Sequence, residues 1–141
     1  MPASSTPAST DADAILVVET EILIRMVIAA YLRDCGYKVI EAANADEALL
    51  ILRQPELRVD VVFSDVDVTG TMDGFGLSHW VRANRPGVET ILVGTVARAA
   101  DAAADLCESG PLLAKPYEPQ TIVGRIKTLL AQKRPQAVPE R

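Results

Sequence analysis

The chain has 141 residues, 49% of them hydrophobic, and a formal net charge of −5 at pH 7. This length is typical of a single domain, and the apolar fraction suffices for a hydrophobic core, which excludes a disordered chain. The negative charge argues against nucleic acid as the main partner, because phosphate backbones are bound by clustered Lys and Arg side chains.

No segment has the pattern of a secretion signal or a membrane anchor. The N-terminus is rich in small and polar residues and lacks a positively charged region. The apolar stretch 22–28 is too short to cross a membrane and contains Arg25. Cys35 and Cys107 lack metal-ligand spacing, so we expect reduced thiols, with one disulfide left open as the alternative. We therefore predict a soluble cytoplasmic protein without a membrane partner.

Strand-like and helix-like segments alternate along the chain. In chain order, the predicted elements are a strand at 14–18, a helix at 21–34, a strand at 37–41, a helix capped by Asn44, a strand at 59–64, a helix capped by Asp73, a strand at 90–94, an alanine-rich helix at 97–109, a strand at 111–114 and a helix starting near Pro119. Short apolar runs indicate the strands, and apolar residues three or four positions apart indicate the helices. Gly36 has the position of a C′ glycine, and Asn44 with Glu47 forms a capping pattern.

This alternation predicts an α/β fold of the doubly wound, flavodoxin-like type. Right-handed crossovers give a five-stranded parallel sheet of order 2-1-3-4-5 with helices on both faces. We expect one domain at 14–133, between a disordered N-terminal tail at 1–13 and a disordered C-terminal tail at 134–141.

Side chains that could bind a ligand or take part in a reaction follow four of the predicted strands. Asp65 closes the third strand, Glu19 and Glu21 follow the first, Thr95 follows the fourth, and Lys115 follows the fifth. Open α/β sheets place their chemistry at the carboxyl edge, where these side chains can converge. Asp65 is therefore a phosphoryl acceptor, a metal ligand or both. For Glu21 we favour a surface charge, because the first turn of a helix favours acids.

Four segments in order carry a resemblance to a known family. They are ILVVETE at 15–21, VVFSD at 61–65, MDG at 72–74 and KPY at 115–117. On these segments the chain, from residue 14 to about 133, resembles the receiver domain of two-component response regulators. The thirty-residue interval between Asp65 and Thr95 also fits this family.

The resemblance implies a phosphorylation site and its partners. Asp65 would accept a phosphoryl group from a histidine kinase or a histidine phosphotransfer protein. Mg²⁺ would be held by Glu19, Asp65 and the backbone carbonyl of Asp67. Lys115 would pair with the phosphoryl oxygens, and Thr95 would donate its hydroxyl to one of them. The same resemblance implies a cis bond between Lys115 and Pro116, and a signalling module rather than an enzyme.

Four positions depart from the family pattern, one of them Thr69 in the loop after Asp65, where a proline is typical. Thr20 stands where a second acid is usual, which should weaken Mg²⁺ binding without abolishing it. Val96 stands where Ala or Gly is usual, and its methyl groups would crowd the mouth of the site. Leu112 stands where an aromatic switch residue often lies.

Two other functions stay open. A degenerate receiver would bind partners without phosphorylation, as the departures at Thr20, Val96 and Leu112 suggest. A phosphatase of the haloacid dehalogenase type would use Asp65 as nucleophile and Asp67 as general acid, but two β–α units precede this motif here.

Docking surfaces are also predicted from the pattern. We expect the alanine-rich helix and the fifth strand to form the docking face for an unknown downstream protein. Ile24 and Ile28 are apolar residues in addition to the core-facing stripe of the first helix. We expect them either to face a kinase or phosphotransfer partner or to be buried.

Overall fold

The computed structural model describes residues 14–109 of the chain. In chain order the elements of this part are β1 (Ala14–Val18), α1 (Ile22–Asp34), β2 (Lys38–Ala42), α2 (Ala45–Leu52), β3 (Val61–Asp65), α3 (Gly74–Asn84), β4 (Glu89–Val93) and α4 (Val96–Ser109). The predicted fifth strand, the last helix and both terminal tails lie outside the described residues.

The four described strands form one parallel sheet in the order β2-β1-β3-β4. This arrangement confirms the predicted parallel α/β sheet, with β2 at the edge of the described sheet as in the predicted strand order. The central strand β1 is buried along its whole length, since helices cover both faces of the sheet.

Alternate residues of the strands face two separate hydrophobic cores. Ile15, Val17 and Phe63 pack on one face with α1 and α4, whereas Leu16 and Val62 pack on the other face with α2 and α3. This two-residue period is what a strand buried on both sides requires.

Local capping sets several element boundaries. Gly36 has a φ of 105°, and the backbone N–H groups of Gly36 and Tyr37 donate to carbonyls of the last turn of α1, which is a Schellman motif. The Asn44 side chain accepts from the Glu47 N–H at 2.9 Å and caps α2. The Asp73 side chain caps α3 by accepting from the Gly76 N–H at 2.9 Å. These three signals were readable in the sequence.

The third strand begins later than predicted. Val59 and Asp60 precede β3 instead of belonging to it. The Asp60 carboxylate accepts from the Ala14 N–H at 2.8 Å. The same carboxylate pairs with Arg58 at 2.8 Å. The backbone of Asp60 also pairs with both neighbouring strands, since its N–H donates to the Ala14 carbonyl at 2.8 Å and its carbonyl accepts from the Glu89 N–H at 3.0 Å.

The packing of α4 corrects one expectation. Ala99, Ala100 and Ala103 are buried against α1, so this stripe of the helix contributes to a core, and the docking face predicted for α4 and the fifth strand stays a prediction. This packing brings the ends of α1 and α4 together, where Cys35 and Cys107 form a disulfide with Cα atoms 5.5 Å apart. The expectation of reduced thiols was wrong, because long-range packing and not sequence spacing decides whether two cysteines meet.

The apolar surplus on α1 is buried. Ile24 and Ile28 are 4% and 1% exposed, so the reading of these two residues as a partner surface was wrong. Ile22 and Met26 are instead the exposed apolar side chains of this helix, each 53% exposed.

Candidate functional site

The candidate site lies at the carboxyl edge of the sheet, where β1, β3 and β4 end. Val18 is the register partner of Ser64, and Asp65 is the register partner of Val93. Glu19 therefore follows β1 beside the end of β3, where Asp65 lies. The Val66 N–H donates to the Val93 carbonyl at 3.0 Å and continues the pairing of β3 with β4 past the strand end.

Glu19 is fixed by contacts on both its backbone and its side chain. Its N–H donates to the Ala42 carbonyl at 3.1 Å, and its own carbonyl accepts from Arg25 Nη1 at 2.8 Å. Its side-chain Oε2 accepts from the Glu21 N–H at 2.9 Å. Arg25 also contacts Glu41 at 3.3 Å, so it links the end of β1 to β2. These contacts hold the Glu19 carboxyl group at the sheet edge.

The electrostatic setting of Glu19 is unfavourable for its charged form. Burial is the main cause that raises the pKa of Glu19 to about 7, and the negative charges of Asp65 and Glu21 act in the same direction. The hydrogen bond from the Glu21 N–H lowers this pKa in part. Burial also raises the pKa of Asp65, while the backbone N–H of Asp67 opposes that effect. Two acids thus share a partly buried edge at which their negative charges repel each other.

Thr95 and Val96 form the β4 side of the site. The Thr95 hydroxyl accepts from the Arg98 N–H at 3.1 Å and caps the start of α4. A hydroxyl that accepts one hydrogen bond still has its proton to donate, so this cap is compatible with a contact to a ligand oxygen. Val96 is the first residue of α4 and is half-buried.

A cavity of about 280 Å³ connects these residues. Its lining residues are Glu19, Glu21, Ile24, Asp65, Asp67, Val93, Gly94, Thr95, Val96 and Ala99. The predicted gathering of Glu19, Asp65 and Thr95 is thus present, and Val96 lines the same cavity as Asp65. Glu21 lines it too, which departs from the preferred reading of Glu21 as a surface charge.

The donor set fits Mg²⁺ with few protein ligands. Glu19 and Asp65 supply carboxylate oxygens, which Mg²⁺ prefers, and their mutual repulsion is relieved by a cation. Within residues 14–109, no three Asp, Glu, His or Cys side chains form a group able to hold a metal. A bound Mg²⁺ would accordingly depend on two carboxylates, a backbone carbonyl and water, a set that this ion accepts.

Thr20 has a contact that the sequence did not indicate. Its Oγ1 accepts from the Thr69 N–H at 3.4 Å, in the loop after β3. Thr20 is exposed, and its hydroxyl contributes no negative charge to the site. Lys115, Pro116 and Leu112 lie outside the described residues.

A comparison with known families decides the class of this protein. The family model for the response regulator receiver domain matches residues 15–127. The chain belongs to the receiver-domain family. Receiver domains are generally signalling modules that bind Mg²⁺ at their phosphorylation site and interact with histidine kinases.

Individual relatives agree with this assignment. The probable transcriptional regulator ycf27 of Cyanophora paradoxa is 32% identical over 120 residues, which cover 82% of this chain and 47% of that protein. This receiver domain therefore spans about half the length of the curated relatives that it matches.

Solved structures share the fold. A CheY-like receiver domain protein from Methanospirillum hungatei has a TM-score of 0.55 at 21% identity, covering 90% of this chain and 100% of that chain. A chain from the complex of histidine kinase ThkA with response regulator protein TrrA has a TM-score of 0.52 at 26% identity, covering 59% of this chain and 69% of that chain. None of the helices within residues 14–109 combines the length and apolar character of a bilayer-crossing helix.

Sequence reasoning missed two contributors to this receiver site and one role of a residue that it had already placed there. Arg25 holds the Glu19 carbonyl, Thr95 caps α4, and Asp46 contacts the loop after β3. A threonine just before a helical segment was a readable N-cap signal. The contacts of Arg25 and Asp46 depend on how separate elements meet, which local patterns do not encode.

The raised pKa of Glu19 predicts how stability depends on pH. A carboxyl group with a higher pKa in the folded state binds more protons when folded, so stability falls as pH rises from 4.5 toward about 7. In Mg²⁺-free buffer, the unfolding free energy of wild type should decrease from pH 5 to pH 8. The decrease in Glu19→Gln should be smaller by about 1–2 kcal/mol. This figure is below the full shift because the side chain is partly exposed.

The measurement is urea unfolding at a series of pH values with a chelator present. Glu56→Gln, which changes an exposed acid elsewhere in the chain, is the matched control and should keep the wild-type slope. Equal pH slopes for wild type and Glu19→Gln would show that Glu19 does not carry the effect.

Proposed function

We propose that this receiver domain accepts a phosphoryl group on Asp65 from a phosphohistidine of a kinase or a phosphotransfer protein. The observation that carries the proposal is the cavity that joins Asp65 to Glu19 and Thr95 at one sheet edge. An Asp65 oxygen attacks the phosphorus, the phosphorus–nitrogen bond breaks, and an aspartyl phosphate forms as the imidazole leaves.

Each neighbouring group has a separate part in this transfer. The Asp67 N–H contacts the Asp65 carboxylate and favours its charged, nucleophilic form. The Thr95 hydroxyl donates to a phosphoryl oxygen while it continues to accept from Arg98. Glu19, Asp65 and the Asp67 carbonyl would hold Mg²⁺, and a bound Mg²⁺ would supply charge neutralisation at this site.

Lys115 completes the proposed set from outside the described residues. We assign it the pairing with phosphoryl oxygens that the family pattern implies, since an ammonium acts there as a point charge. Phosphorylation then changes the affinity of the domain for a downstream protein, in keeping with a cytoplasmic signalling role.

The decisive experiment uses Mg²⁺, a small phosphodonor such as acetyl phosphate, and intact mass measurement. Wild type should gain one phosphoryl group that maps to Asp65, and Asp65→Asn should gain none, because it lacks the nucleophile. Asp67→Asn should still gain the group, since only the backbone of Asp67 is required.

A phosphatase of the haloacid dehalogenase type predicts a different pattern in the same samples. It would turn over a small phosphate ester, and Asp67→Asn would abolish that turnover because the general acid is lost. A phosphoryl group on wild type at a residue other than Asp65 would contradict both readings.

A phosphorylation-independent binding module is the second candidate function. The observation that favours it is Val96, a half-buried β-branched side chain lining the same cavity as Asp65. Thr20 supports the same reading, because its hydroxyl accepts a hydrogen bond from the Thr69 N–H and supplies no negative charge for binding a metal ion. Under this reading, partner binding would be unchanged in Asp65→Ala.

The bulk of Val96 predicts slow phosphorylation that a smaller side chain relieves. Val96→Ala should react with acetyl phosphate about three- to tenfold faster than wild type, corresponding to about 1 kcal/mol of barrier. Phosphorylation rates measured at matched Mg²⁺ concentrations test this, with Ala97→Gly on the exposed side of the same helical turn as the control. Equal rates for wild type and Val96→Ala would remove Val96 as an obstacle.

A further inference from the structure

The loop between β3 and α3, residues 66–73, is held from outside by a side chain of α2. Thr71 Oγ1 donates to Asp46 Oδ1 at 2.7 Å, and the Thr71 N–H donates to Asp46 Oδ2 at 3.3 Å. Both carboxylate oxygens of Asp46 are thus used by one loop residue. Asp46 lies in the first turn of α2 and does not line the cavity described above.

Two further contacts fix the loop beside Thr71. The Ala45 N–H donates to the Thr69 carbonyl at 2.9 Å, and the Thr69 N–H donates to Thr20. Between them, Gly70 has a φ of +117°, and a Cβ atom there would lie 3.0 Å from Asp46 Oδ2. A side chain at position 70 would therefore strain the loop backbone and crowd the start of α2.

The other side of the loop closes onto the phosphorylation site. The Gly74 N–H donates to the Val66 carbonyl at 3.0 Å, and a Cβ on Gly74 would lie 2.4 Å from the Asp65 carbonyl oxygen. Between these anchors the loop places the Asp67 N–H against the Asp65 carboxylate. A displacement at Thr71 would consequently reach Asp67, four residues away, through a short loop fixed at both ends.

The loop has little apolar packing of its own to define this conformation. Val68 is buried, but Asp67, Thr69, Gly70 and Thr71 are exposed. An exposed polar segment takes its conformation from hydrogen bonds. The paired contacts of Thr71 with Asp46 thus have a larger share in setting the loop than they would in a packed segment.

We propose that Asp46 and Thr71 are positioning residues for the phosphorylation site, holding loop 66–73 so that Asp67 presents its backbone to Asp65 and to Mg²⁺. This inference rests on the proposed phosphoacceptor function. Neither side chain touches the reacting atoms; they act through the backbone between Thr71 and Asp67.

The test measures Mg²⁺ affinity by calorimetry and the rate of phosphorylation by acetyl phosphate. Thr71→Val keeps the shape and removes the hydroxyl, and Asp46→Ala removes the acceptor. Each should weaken Mg²⁺ binding and slow phosphorylation about three- to tenfold, the size expected when one hydrogen bond is lost, as in Thr71→Val, or two, as in Asp46→Ala. Thr71→Ser, which retains the hydroxyl, should stay within about twofold of wild type.

Two controls separate positioning from general damage. Glu56→Ala removes an exposed acid elsewhere and should match wild type in both measurements. The double variant Asp46→Ala/Thr71→Val should be no worse than Asp46→Ala, because Asp46→Ala alone already removes the hydroxyl contact that Thr71→Val removes. Amide hydrogen exchange should accelerate at residues 69–71 in Thr71→Val and not in Thr71→Ser.

The outcomes distinguish this inference from the function on which it rests. If wild type takes up no phosphoryl group at Asp65, the phosphoacceptor function fails and the inference fails with it. If wild type is phosphorylated and Thr71→Val exchanges faster at 69–71 yet keeps wild-type Mg²⁺ affinity and rate, the positioning role alone is overturned.

Discussion

The parallel pairing of β1 with β3 is the constraint on which the rest of this structure depends. Its register places Val18 beside Ser64, so the chain emerges from both strands with an acid in the next position, Glu19 and Asp65. A slip of one residue would turn the side chains of β1 to the opposite face and separate these acids. The pairing of β3 with β4 then adds Thr95 from a third strand end. The site is thus a consequence of sheet register more than of any single motif.

Gathering acids at a partly buried edge is costly for their charged forms. The folded chain responds by raising the pKa of Glu19 and of Asp65, and by supplying N–H donors from Glu21 and Asp67. A cation bound beside these two acids would stabilise their charged forms, and proton release from Glu19 would accompany its binding. In the positioning role proposed for them, Thr71 and Asp46 hold the Asp67 N–H close to these acids.

The sequence predicted the features that depend on local pattern. Short apolar runs gave the strands, Asn44 and Asp73 gave helix starts, and Gly36 gave a helix end, because capping and periodicity act over a few residues. The strand ends that bring Glu19, Asp65 and Thr95 together followed from the parallel α/β topology. The disulfide of Cys35 with Cys107 and the burial of Ile24 depend instead on α4 packing against α1. Such contacts between distant segments leave no local signal, and the same reason hides the contacts of Arg25 and Asp46.

The central claim is that Glu19 and Asp65 form one electrostatically coupled pair whose natural counterion is Mg²⁺. The most direct measurement is an NMR titration of the side-chain carboxyl carbon of Glu19, assigned by comparison with Glu19→Gln, with and without Mg²⁺. The account predicts a pKa of about 7 in the metal-free protein and a clear decrease when Mg²⁺ is added. An ordinary glutamate pKa that Mg²⁺ leaves unchanged would contradict it.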